Sequence, residues 1–394
     1  MKSFIHPTGF VQAVGRKLYD GKGNPLVLRG VNFGDWFVQE FWMATSCVGD
    51  IYKTNYTQKR ALEVMEKNPN LSKEQILKVQ KVYIDHFIKE EDFANVAKLN
   101  LNVIRINFSC YNITLDGYQL NPWFFEKFDW ALDMCEKYHL YCIIDNHGAI
   151  GSQNQDHHSG NDDTFDLYGN EKNMAATVEV WKAIASRYKD RTCVACYDLL
   201  NETRSAPGKF SGKVQFDFYD RLYKAIREID PHHMIMMECF TFPTHGVHPK
   251  KYSWENVCYS YHFYNLTPFL QRFCLWTYKF MDFIKGYDVP IIMGEFSCWK
   301  KEKDWYVTFS SFEKKGWSYL CWTYKANNYV FKRTSFMNDK KKMWGLYEIE
   351  QEPVNLATAT YEEIVSAYEK VETKNAHTTI IYDAFYHHFV LKDR

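Results

Sequence analysis

Two segments of this sequence carry carboxylates where a carboxylate can do chemistry. "VACYDLLNE" (194–202) and "VPIIMGEFS" (289–297) are apolar, β-rich runs, and each ends in polar residues that an interior strand does not need: Asn201 with Glu202, and Glu295. If both runs open onto one cavity, the glutamates face each other, and a facing carboxylate pair can divide the roles of proton donor and nucleophile at an acetal carbon. A gap of about 5 Å leads to retention of anomeric configuration, and about 6.5–9.5 Å to inversion. The acid must hold its proton near neutral pH while the nucleophile stays ionised, so their surroundings must differ.

Such residues need a frame that brings strand ends together. Six further runs share the pattern: "PLVLRGVNFG" (25–34), "NVIRINFS" (102–109), "LYCIIDNHG" (140–148), "MIMMECF" (234–240), "VCYSYHFYN" (257–265) and "SYLCWTYK" (318–325). Runs apolar on both alternating faces belong to parallel sheets covered on both sides. Amphipathic helical stretches lie between most of them, including "DFANVAKLN", "PWFFEKFDWALDMCEKYH", "NMAATVEVWKAIASRYK" and "FDFYDRLYKAIREID". Eight strands with intervening helices predict an α/β fold, a (β/α)8 TIM barrel forming one domain over 1–394. The rival doubly wound sheet calls for a Gly-rich phosphate loop after an early strand, which "RGVNFGDW" does not supply.

The rest of the chain decorates that barrel. An Asp20-Gly21 turn predicts an N-terminal hairpin able to plug the barrel bottom. Residues 43–91 read as an insertion after the first strand, lying over the mouth, with Ser72 and Gln75 at capping-box spacing before a helix. "ATATYEEIVSAYEKVET" reads as the last barrel helix and "DAFYHHFVLKDR" as a short tail.

In such a barrel the polar residues at the C-terminal strand ends line one mouth. In strand order these are Arg105, His147, Asn201 with Glu202, Glu238, His262 with Tyr264, Glu295 and Trp322. Any one of them alone is explained as a satisfied structural residue; their convergence on one mouth is not. Arg105 and Tyr264 would keep Glu295 charged, Asn201 would hold a sugar 2-hydroxyl, and Trp322 would floor the ring. Glu238 is a third carboxylate and the rival for either catalytic role.

Composition agrees with a neutral ligand. Acidic and basic residues number 48 each, and no long Lys/Arg block suggests nucleic acid or a membrane surface as partner. Aromatics make up 18% of the chain, which suits sugar faces as well as a core. Eleven Cys scattered through apolar runs read as buried free thiols, and "MKSFIHPTGF" has no signal-peptide core, so a cytoplasmic location is expected. Cys193 and Cys196 have no second ligand pair at zinc-site spacing, and the adjacent pairs His157-His158 and His232-His233 are poorly spaced for chelation, so no metal is expected. Either of His157 and His158 would still be placed to face a sugar.

The set "RIN", "DNHG", "LLNE", "HFYN", "MGEFS" and "CWTYK" resembles glycoside hydrolase family 5 over residues 25 to 325. "LRGVNFGDWFVQEFW", "EEDFANVAKLNLNVIRI" and "HGAIGSQNQDHHSG" are most similar to its exo-β-1,3-glucanase branch. The resemblance implies a retaining mechanism with Glu202 as acid/base and Glu295 as nucleophile, no cofactor, and a carbohydrate partner bound at Arg105, His147, Asn201, His262, Tyr264 and Trp322. It further implies that Glu40 contacts the non-reducing glucose and that Asn173, at the start of the third helix, helps. "RINFSCYNI" and "GDW" depart from that branch and touch the aglycone preference rather than the chemistry. Other β-glycosides, such as a flavonoid disaccharide or a lipid glucoside, are the alternative substrates. A non-catalytic barrel would be expected to have lost Glu202 or Glu295, and a metal-dependent hydrolase is a weaker option that a chelator would reveal. Nothing in the sequence fixes an oligomeric state.

Overall fold

The eight apolar runs form eight parallel strands that close into a barrel. They are β1 (Arg29–Asn32), β2 (Val103–Ser109), β3 (Tyr141–Gly148), β4 (Val194–Asp198), β5 (Met234–Glu238), β6 (Val257–Tyr264), β7 (Ile291–Ser297) and β8 (Ser318–Cys321). Each pairs with its chain neighbours, and β8 returns to β1 through Tyr319↔Arg29, Leu320↔Gly30 and Cys321↔Val31. This computed structural model describes residues 9–40, 42–50, 56–115, 118–204, 212–238, 246–264, 268–298, 301–329, 344–374 and 379–391.

Side-chain size explains how the strands approach. A Cβ on Gly30 would lie 1.8 Å from the Val103 carbonyl oxygen, so β1 can pack this close to β2 only with glycine there. Val103, Ile143, Cys196, Met236, Cys258, Ile292 and Leu320 fill the interior, and Val11 and Leu18 join them from the N-terminal segment. That segment does plug the barrel, as a three-stranded meander rather than one hairpin. Gln12–Val14 turns at Gly15 into Lys17–Tyr19, and the Asp20-Gly21 turn then leads to Pro25–Leu26.

One irregularity serves the mouth. Tyr261 pairs with Met293 and His262 with Glu295, so Gly294 is bulged out. A Cβ on Gly294 would sit 2.4 Å from Ser260 Oγ and 3.0 Å from His262 Nε2. The bulge turns Glu295 to face His262, the kind of re-aiming that β-bulges perform beside active sites.

The insertion contains helices Gln58–Lys67 and Lys73–Phe87, the second closed by the expected Ser72/Gln75 capping box. They buttress the mouth loops: Tyr83 donates to Asp35, Gln58 holds the Phe37 carbonyl, and Lys59 and Arg60 pair with Asp163. The C-terminal reading is corrected. Tyr361–Glu369 packs on the insertion, with Tyr368 edge-on to Tyr83, and the residues read as a tail take the barrel-helix position. There Phe385 and Phe389 pack on Phe309 of helix Glu302–Glu313, and the Phe389 carbonyl accepts from Asn100 ahead of β2. The aromatic residues of "DAFYHHFV" supply the apolar area that this slot needs.

Candidate active site

Arg105, the third residue of β2, organises the mouth. Its fully buried guanidinium donates to Asn32 (3.1 Å) and Glu295 Oε1 (3.0 Å) from Nη1, and to Asn201 (2.9 Å) and Glu238 Oε1 (3.1 Å) from Nη2, while Nε reaches Asp198 (2.9 Å). Burial works against a charge here, but Asp145, Asp198, Glu295 and Glu238 outweigh it and hold Arg105 firmly protonated. Such a rigid five-donor fork is what Arg offers and Lys does not.

Around this cation stand the two carboxylates singled out from sequence. Glu295 is buried; Arg105 donates to its Oε1 and the Tyr264 hydroxyl to its Oε2 at 2.5 Å. Glu202 lies across the mouth, with a carboxylate oxygen within 4.8 Å of one from Glu295. Two imidazoles flank Glu202, His262 Nδ1 at 2.6 Å from Oε1 and His158 Nε2 at 3.2 Å from Oε2. Burial pushes the Glu202 carboxyl up, yet the His158 charge and the His262 hydrogen bond pull harder and leave it well below the ordinary carboxylate range. His262 moves the other way. Burial opposes its charge, but Glu238 and Glu295 hold its pKa well above the usual imidazole value.

Glu238 is not a free third carboxylate. Its Oε1 meets Arg105 and, at 3.1 Å, His262 Nε2, and its Oε2 accepts the backbone N–H of Glu202 at 2.6 Å. Glu202 itself sits in the left-handed region, at φ 40°. A glutamate in that conformation is uncommon and needs its surroundings to hold it.

The remaining residues divide into two groups. Glu40 is buried at the mouth, where Trp42 Nε1 donates to it (2.8 Å) and His157 Nε2 stands 3.3 Å away. Burial raises its pKa, but the His157 contact more than compensates and Glu40 stays ionised. Trp322 stacks on His147 at 5.3 Å, and Trp42 packs at a tilt against Trp344, which meets Tyr264 edge-on. His147 is fixed through Nδ1 by Asp145 (2.7 Å), and Asn201, held by Arg105, turns its amide nitrogen towards His147 Nε2 (3.4 Å). Asn173 stands apart. Its amide bonds to Asp166 and accepts from Tyr118, and it lines a cleft of about 960 Å³ between the insertion and the 150–173 loop.

Sequence reading missed the buttressing role of Glu238, the hold of His158 on Glu202, and the Trp42 and Trp344 walls. The adjacent pair His157-His158 was the one usable signal. Glu202, His262 and Glu295 also offer one ligand atom each within 4.8 Å, a trio by distance able to take a cation. Both Glu295 oxygens, however, already accept from Arg105 and Tyr264, and His262 Nδ1 is turned to Glu202.

A family model described as cellulase (glycosyl hydrolase family 5) matches residues 64–328. The chain belongs to glycosyl hydrolase family 5. Among similar proteins, a beta-xylosidase of Phanerodontia chrysosporium is 28% identical over 66% of this chain and 53% of its own length. A probable glucan 1,3-beta-glucosidase A of Neosartorya fischeri is 27% identical over 69% of this chain and 65% of its own. The family 5 chain therefore spans between about half and two thirds of these relatives. The solved rutinosidase from Aspergillus niger superposes with a TM-score of 0.60 at 13% identity, covering 87% of this chain and 98% of that one, which bears on the fold alone.

These family 5 relatives correct one expectation. The fungal glucan 1,3-beta-glucosidases and the beta-xylosidase are secreted enzymes, so the cytoplasmic location expected from the sequence does not stand. The buried free thiols read from the sequence are there: the ten described cysteines are free and mostly buried. Burial pushes the thiols of Cys110 and Cys298 up to about 12, which suppresses the reactive thiolate in any compartment, so the thiols carry no argument for a reducing one.

Proposed function

We propose that this family 5 chain is a retaining β-glycoside hydrolase that removes glucose from the non-reducing end of β-glucans, their oligosaccharides or small glucosides. The observation that carries the reading is the approach of Glu202 and Glu295 to within 4.8 Å, the short gap of a double displacement. Glu295 attacks the anomeric carbon as the aglycone oxygen leaves with a proton from Glu202. Glu202 then takes a proton from water, which attacks the same carbon and releases Glu295. Arg105 and Tyr264 hold Glu295 aimed, with both of its oxygens fixed.

The proton belongs to the Glu202–His262 pair: Glu202 is held low, His262 is held high, and His262 Nδ1 stands 2.6 Å from Glu202 Oε1. Charge developing on the leaving oxygen draws the proton through Glu202. Asn201 and His147 are placed for the 2-hydroxyl side of the sugar, and Trp322 for the ring face. Glu40, fixed by Trp42 and His157, closes the far side of the pocket and accounts for exo action.

Product analysis on laminari-, gentio- and cello-oligosaccharides tests the proposal, because it reports linkage, end of attack and anomeric outcome together. Initial release of β-glucose supports it, and initial release of the α-anomer or of internal fragments defeats it. The beta-xylosidase relative favours a β-xyloside as second reading, and an aryl xyloside beside the aryl glucoside separates the two.

A further inference from the structure

Helix Pro268–Lys285, which leaves the mouth four residues after Tyr264, turns an aromatic face to solvent. Phe269, Phe273, Trp276, Phe280, Phe283 and Ile284 are between 43% and 78% exposed. With about 150–250 Å² available per aromatic side chain, they show on the order of 700 Å² of apolar surface. The largest patch on a typical monomer is about 300–600 Å² and is often functional. Turned inward are Gln271, Tyr278 and Asp282, bound respectively to Thr308, to the His262 carbonyl and to Arg16, with Cys274 and Leu275 partly buried against the core. The helix is thus held by three hydrogen-bonded anchors and a narrow apolar contact, while its broader aromatic face stays exposed, where an ordinary barrel helix buries its apolar stripe.

The charges bordering the face say what it meets. Arg272 and Lys279, seven residues apart, flank one edge, both exposed, and among the described residues neither forms an ion pair. Asp282, the one acid of the helix, is buried against Arg16. A second copy is a poor occupant. The aromatic stripe repeats at alternating steps of four and three, so an antiparallel pair packed on it would face Arg272 against Lys279. No helix among the described residues is long and apolar enough to cross a membrane. An amphipathic helix with aromatics on one face and Arg/Lys along its border instead lies in the plane of a bilayer surface.

We infer that Pro268–Lys285 docks the protein on an anionic lipid surface, with the aromatics among the acyl chains and Arg272 and Lys279 at the phosphates. Because the helix starts beside Tyr264, docking holds the rim of the mouth against the lipid. The sequence led to the opposite expectation, since two basic residues seven positions apart form no block.

The test is co-sedimentation of the full chain with phosphatidylcholine vesicles, with and without phosphatidylserine. Binding is expected to be about tenfold or more stronger with phosphatidylserine and to weaken as salt rises. The pair Trp276→Glu and Phe283→Glu should lose it while hydrolysis of an aryl β-glucoside stays unchanged. Arg272→Ser with Lys279→Ser, a milder surface change, should lower binding to the anionic vesicles alone. Wild-type protein left in the supernatant at low salt overturns the inference, as does equal sedimentation of the glutamate variant. A wild-type dimer that this variant splits, seen by analytical ultracentrifugation, overturns it in favour of a second copy.

Discussion

The backbone N–H of Glu202 donates to Glu238 Oε2 over 2.6 Å, and this bond holds Glu202 at φ 40° with its carboxyl turned into the mouth. Glu238 therefore acts through Glu202, as a positioning residue. Its replacement by Ala should lower kcat about 10²-fold, the cost of misplacing a reacting group by about an ångström, and leave KM nearly unchanged. Glu238→Gln, whose amide oxygen can still accept that N–H, should recover part of the rate. Steady-state kinetics on an aryl β-glucoside decides it; equal kcat in wild type and Glu238→Ala would show that the bond is idle.

The same carboxylate sets a pH limit. Glu238 is the foremost of the charges that raise the His262 pKa against the effect of burial. A raised pKa means the proton is present below it and lost as pH rises through it, so the alkaline limb of kcat/KM should lie above the ordinary imidazole value of about 6.5. Removing the Glu238 charge lowers the His262 pKa, so Glu238→Gln should move that limb to lower pH. A limb left in place would mean that the proton is not drawn from the His262–Glu202 pair.

Much of this site was legible because a buried parallel strand has no use for a polar end. Arg105, His147, Glu202, His262 and Glu295 stood out against the apolar runs that carry them, and the eight runs themselves fixed the barrel. What stayed hidden depends on direction rather than residue type. A strand-end carboxylate aimed at a backbone N–H, as in Glu238, reads the same as one aimed at substrate. Trp42, Trp344 and His158 arrive from loops, whose course no periodicity records. Asn173 was placed at the sugar by resemblance, whereas its hydrogen bonds to Asp166 and Tyr118 tie it to the outer cleft. The aromatic face of Pro268–Lys285 has the spacing of a core-facing helix, and only the inward hydrogen bonds of Gln271 and Tyr278 reveal that it points outward.

Glu202 and Glu295 should fail in different ways. Glu295→Gln removes the nucleophile and should abolish turnover of an aryl β-glucoside. Glu202→Ala should cost about 10²–10⁴-fold, the usual worth of general acid–base catalysis, and less with a good leaving group that needs no proton. Azide should then restore rate by attacking the glycosyl-enzyme, giving a β-glycosyl azide detectable by NMR. An α-azide, or undiminished hydrolysis by Glu295→Gln, would reverse the assignment of roles.

Glu40 lies at the mouth, clasped by Trp42 Nε1 and His157, and its carboxylate stays ionised there. A buried charge with donors on one side and lone pairs to spare can accept from sugar hydroxyls, and a hydrogen bond to a charged group contributes about 1.5–3 kcal/mol. Glu40→Ala should therefore cut kcat/KM on laminaribiose by roughly 10–100-fold, given that 1.4 kcal/mol corresponds to about tenfold. The same change opens the closed end of the pocket, so longer laminari-oligosaccharides should begin to yield disaccharide beside glucose. Chromatography of early products reads this directly. Glucose as sole product from Glu40→Ala would mean that another group, with the Trp344 wall the nearest candidate, closes the pocket.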